Sequence, residues 1–131
     1  MVEEVSRRVV DQRVRNRVIE YLELAASFEA QIEYDAARVV NVPNEVINQW
    51  QDWVPVSPRL DPRVLEVYTA EELESLIQFQ EAWELATNGE GYPDLAEVQR
   101  LPSWIALRGA AETALAVFGR RGRLSEDRED G

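Results

Sequence analysis

From residue 14 to residue 40 the apolar side chains recur at spacings of three and four, and no other feature of the chain constrains its fold as much. At roughly 100° per residue, Val14, Val18, Tyr21, Leu22, Ala25, Phe28, Ile32, Ala36, Val39 and Val40 fall within an arc of about 120°. Arg13, Asn16, Arg17, Glu20, Glu23 and Asp35 take the opposite side, so polar and apolar residues share one helical period. The pattern predicts a single long helix with one buried stripe, as in bundles and short coiled coils. Later segments hold enough apolar residues to cover that stripe within the chain, and a homodimer through the N-terminal helix is the other use the seam allows.

The first turns break this register. Val2, Val5 and Val9 cluster about 180° from the stripe, while Arg7 and Asp11 stand where the stripe would continue. Either the chain bends near Val10 or a second face is buried there. Val5 and Val9 are therefore candidate partner-contacting residues, with a frayed terminus as the alternative.

Pro43, after Asn41 and Val42, suits the first turn of a second helix, which carries Val46, Ile47, Trp50, Trp53 and Val54 on one face. Pro55, Pro58 and Pro62 make the next stretch an extended connector. Asp61 and Pro62 can open a short helix with Val64, Leu65 and Tyr68 on one side. Thr69 and Glu72 form a capping box for a helix running to about Thr87, where Asn88 and Gly89 supply a left-handed stop. Its apolar face holds Leu73, Leu76, Ile77, Phe79, Trp83 and Ala86, with Gln80 in the middle; a buried amide there needs a partner. Asp94 and Glu97 can cap a short helix ending near Leu101. Ser103 is the expected cap of a last, alanine-rich helix from Trp104 to about Phe118, suited to close packing on the first helix.

Composition removes much chemistry. All 14 bases are Arg, as a GC-rich bacterial coding bias would produce, and there is no Lys, His or Cys. That excludes a Ser-His-Asp triad, a cysteine nucleophile, thiolate or imidazole zinc, lysine Schiff bases and the P-loop lysine. A net charge of −11, from 25 acids, disfavours a general nucleic-acid binder and favours a basic protein partner. No membrane span or signal peptide is read, so a cytoplasmic location is expected.

Three constellations remain. Glu20 with Glu23, Glu81 with Glu84, and Asp94 with Glu97 have the spacing of metal-holding carboxylate pairs, a weak signal in so acidic a chain. Trp50, Trp53, Tyr68, Trp83, Tyr92 and Trp104 lie at helix faces or beside Pro-rich turns, where the rings could line a pocket, anchor a partner or fill a small core, with Gln80 among the pocket candidates. Arg7, Arg8, Arg13, Arg15 and Arg17 oppose the helix dipole, so they pair with the chain's own acids or bind an acidic group.

The expectation is an all-α fold: a single-domain bundle of about five helices organised around a long N-terminal helix in residues 1–124, then a disordered charged tail in residues 125–131. The expected function is a non-enzymatic interaction domain (an adaptor, inhibitor or immunity-type protein) with a protein partner and no cofactor or metal. The alternative is a regulatory domain binding a ligand at Trp50, Trp53, Gln80 and Trp83, and third comes a carboxylate-metal phosphohydrolase.

Overall fold

Helix α1, Arg7–Ala25, is buried on almost every side, and the rest of the chain is placed by what covers it. The computed structural model describes residues 6–37, 42–55, 57–87 and 95–129. Among these it has α2 (Phe28–Ala37), α3 (Val42–Trp53), a 3₁₀ turn (Pro58–Leu60), α4 (Pro62–Val67), α5 (Ala70–Thr87), α6 (Leu95–Val98) and α7 (Pro102–Phe118), and no strand. No described helix is long and apolar enough to cross a membrane. The fold is all-α, as the periodicity predicts, and α1 is 19 residues long.

The hydroxyl of Ser6 caps α1 by accepting from the Val9 N–H at 3.3 Å. The stripe residues Val18, Tyr21, Leu22 and Ala25 lie in the core with Trp50, Phe79, Trp104, Leu107 and Phe118, so the chain itself uses the seam. The predicted helix over residues 14–40 is, however, two helices. Ser27 ends α1 and starts α2: its hydroxyl accepts from Ala30 N–H at 3.0 Å, and its own N–H donates to Leu24 at 3.3 Å. Beyond that break the stripe loses its register, Gln31 turns inward and Ile32 is 54% exposed. Val39 and Val40 lie outside the described residues.

Gln31 is fully buried and fully used. Its amide donates to the Leu24 carbonyl at 3.0 Å, and its carbonyl oxygen accepts from the Trp104 indole at 3.2 Å and from Gln99 at 3.3 Å. It thereby ties the α1–α2 corner to α7 and to the end of α6. Gln31→Leu would strand the Trp104 N–H and a lone pair of Leu24. We expect a loss of about 1–3 kcal/mol, read as a lower urea midpoint at unchanged slope.

Other local expectations fare unevenly. The Thr69–Glu72 capping box forms in full, with Glu72 N–H on the Thr69 hydroxyl at 3.1 Å and Thr69 N–H on the Glu72 carboxylate at 3.2 Å. The proline connector is not wholly extended, since Leu60 and Asp61 N–H groups donate back to Ser57 and Pro58. On α4 the buried residues are Val64 and Val67, and Leu65 faces solvent. Pro102, with its preset φ, opens α7 one position before Ser103, so Ser103 is not the cap. The last helix packs on α5 as well as on α1. The stop at Asn88 and Gly89, and Asp94, lie outside the described residues.

Of residues 125–131, read from the sequence as a charged tail, the last two lie outside the described residues. Gly122 adopts a positive φ of 71°, which turns the chain after α7 and lays the following residues along the polar face of α1. Asn16, expected at the surface, is thereby buried under them.

Candidate partner-binding site

Where the first turns of α1 meet α4 and the end of α3, a cleft of about 410 Å³ opens at the surface. Val10, Val14, Trp53, Val64 and Tyr68 give it apolar walls, and Asp11, Asp52 and Asp61 bring carboxylates, with Arg63 as its one base. The local reasons are plain. Asp61 caps α4 through the Arg63 N–H at 2.9 Å, which starts that helix beside α1 and aims Arg63 across it. Trp53, the last residue of α3, is only half-buried because the chain turns away at Val54 and Pro55. Burial raises the pKa of the Tyr68 phenol, which stays a neutral hydroxyl.

Asp11 is the unusual member. It is 5% exposed. Both the Nε and the Nη2 of Arg63 bind its Oδ1, at 2.7 and 2.6 Å. Among the described residues its Oδ2 is buried with no hydrogen-bond partner, so the carboxylate is satisfied there on one side only. Sequence reasoning assigned no function to Asp11, Asp61 or Arg63. The signal was present at one of them: a carboxylate in the register of an apolar stripe must be buried against a base.

The sequence-derived residues are distributed differently from the single pocket expected. Trp50, Gln80 and Trp83 do meet, around a second and smaller groove of about 230 Å³ with Val54, Pro55 and Glu84. Trp53 lies across α3 from them, in the acidic cleft. The polar atoms of the second groove serve the fold: the Trp50 indole donates to Gln80 at 3.3 Å and the Trp83 indole to the Ile47 carbonyl at 2.9 Å. Val9 is buried at 3% exposure. Val5 and Val2 lie outside the described residues.

Of the N-terminal arginines, Arg17 pairs with Glu20 and Glu126, Arg13 donates to the Glu126 carbonyl, and Arg15 pairs deep in the fold. Arg15 is fully buried and donates to both Glu72 oxygens, at 3.2 and 2.7 Å, and to the Gly122 carbonyl at 2.7 Å. Arg121 reaches the same carboxylate at 2.6 Å. Burial alone would raise the Glu72 pKa, but the hydrogen bonds from Arg121 and Arg15 outweigh it and hold the group below its ordinary value.

Of the three carboxylate pairs, the one with Asp94 lies partly outside the described residues. Glu20 and Glu23 bind Arg123, and Glu81 and Glu84 are exposed on α5. Among the described residues no three carboxylates are grouped as a metal ion would need. No family model matches the chain, and neither curated proteins nor solved structures give a match to it.

Proposed function

We propose that this protein is a non-enzymatic, cytoplasmic interaction domain, of the adaptor, inhibitor or immunity type, that captures a basic protein partner in the cleft between α1, α3 and α4. The observation that carries the reading is Asp11: a buried carboxylate on the cleft wall that already holds one guanidinium and has one oxygen without a partner among the described residues. An arginine of the partner entering beside Arg63 completes it as binding turns the buried oxygen toward the cleft. Asp52 and Asp61 add charge at the cleft, Val10 and Trp53 give the partner's apolar atoms a surface, and Trp53 and Tyr68 offer ring faces to a cation. The net charge of −11 steers such a partner to the encounter.

Calorimetric titration with short arginine-, lysine- and glutamate-rich peptides at low and at physiological ionic strength tests the proposal. The arginine peptide binds, binds less well as salt rises, and outcompetes the lysine peptide; the glutamate peptide does not bind. Trp53→Ala, which removes the central ring, weakens binding by about 2 kcal/mol, roughly thirtyfold. Absence of arginine-peptide binding, or equal binding by Trp53→Ala, would sink it.

A further inference from the structure

A second recognition surface lies away from this cleft, on the face of α1 that covers residues 124–128. Its polar side chains read main chain. The Asn16 amide donates to the Leu124 carbonyl at 2.9 Å while its oxygen accepts from the Leu124 N–H at 2.9 Å, so one side chain satisfies both backbone groups of one residue as a neighbouring strand would. One turn earlier, Gln12 donates to the carbonyls of Ser125 and Arg128, at 2.9 and 2.8 Å, and Arg13 to that of Glu126 at 2.8 Å. These bonds carry no information about the side chains they hold.

One contact does carry such information. The Glu126 carboxylate takes Arg17 Nη2 at 2.8 and 2.7 Å, and Asn16 adds a bond at 3.1 Å. The Asn16 bond, with Arg17 and Arg13 behind it, holds Glu126 below the ordinary glutamate pKa. Before it, Ser125 shapes the segment: its hydroxyl accepts from the N–H groups of Asp127 and Arg128, both at 3.1 Å, closing a turn that presents the carbonyls to Gln12. Gln12 and Asn16 are buried beneath this segment, at 0% and 1% exposure.

We propose that this face of α1 is a peptide-binding site for a short acidic segment in which a turn-forming serine or threonine precedes a glutamate, and that residues 124–128 occupy it as an intramolecular competitor. Only the residues after α7, turned by Gly122, separate this segment from the bundle, so its effective concentration at the site is in the millimolar range. A partner's segment of the same chemistry therefore binds weakly until the competitor is released.

The probe is a fluorophore-labelled octapeptide with the sequence of residues 124–131, followed by anisotropy against the full chain. The Glu126→Arg chain binds it at least about tenfold more tightly than the wild type, because the competitor is repelled. The same peptide with glutamine in place of its glutamate binds that chain about tenfold less tightly, since it lacks the charged acceptor. Asn16→Ala added to Glu126→Arg abolishes binding. Far-ultraviolet circular dichroism verifies that each variant keeps its helix content. In the wild type, excess unlabelled peptide removes the exchange protection of the Leu124 amide, a measurement that needs no variant. A folded Glu126→Arg chain that ignores the probe overturns the proposal, as does equal binding of the glutamine peptide or a Leu124 amide still protected at peptide excess.

Discussion

Glu72→Ala is expected to cost about 3–5 kcal/mol, a large part of the total stability of a domain this size. The reason is what it leaves behind. Arg15 is fully buried, and its guanidinium would keep only the Gly122 carbonyl and the face of the Phe118 ring, 4.9 Å away. The same substitution removes one half of the α5 capping box, because one Glu72 oxygen also accepts from the Thr69 N–H. Thermal unfolding should show a midpoint lower by on the order of 10 °C or more. Replacing both partners, Arg15→Met with Glu72→Leu, should restore part of the loss, since the uncompensated charge disappears with its partner. A double variant as unstable as the sum of the singles would show that packing, rather than the ion pair, was lost.

The same carboxylate sets a pH dependence. Its pKa is lowered in the folded protein from the ordinary value of 4.5. Its stabilisation is therefore complete above that unfolded-state value and is lost as pH falls through the lower folded-state value. Urea midpoints taken from neutral pH down to strongly acid pH should fall below about pH 4.5. In the double variant that part of the fall should be absent.

Phe79→Ala is the second large effect, again about 3–5 kcal/mol. Phe79 is fully buried between Trp50, at 4.6 Å between ring centroids, and Tyr21, which it meets edge-on at 5.8 Å. The three rings join α1, α3 and α5 at one point, and Tyr21 is fixed there by its hydroxyl donating to the Val46 carbonyl at 2.6 Å. Truncation leaves a cavity that none of these anchored rings can collapse into. Urea denaturation should give a lower midpoint at unchanged slope, and the emission of Trp50 should move to the red as water reaches its ring. Leu85→Ala, on the same helix but 66% exposed, should stay within about 0.5 kcal/mol.

Much of the framework was legible because it is local. Helical spacing, the Thr69–Glu72 box, Pro43 in the first turn of α3 and the apolar face of α5 each depend on residues within a turn or two of one another. The break at Ser27 was legible only in part: a serine with no glycine or proline beside it is as compatible with a helix surface as with a cap. Gln31, seven residues past Leu24, decides the matter by reaching the freed carbonyl at 3.0 Å. That contact exists because Trp104 and Gln99 hold the other end of the amide.

The candidate sites divide along the same line. Asp11 announces itself by standing in an apolar register, and the half-buried Gln80 does likewise, so both could be marked as polar groups in need of a partner before any partner was known. Their partners, Arg63 and Trp50, are far along the chain and carry no matching mark. By itself the sequence determined an all-helical chain, most of its helix boundaries and which catalytic groups it lacks, because propensity, period and residue inventory are properties of neighbours and of composition. Only the tertiary structure decided that Trp53 and Trp83 line different grooves, that Arg15 is a core residue, and that the acidic segment after Gly122 lies on α1. Each of these depends on which helix faces meet. Burial then makes a polar group take whatever partner lies within about 3 Å, however distant it is in the chain.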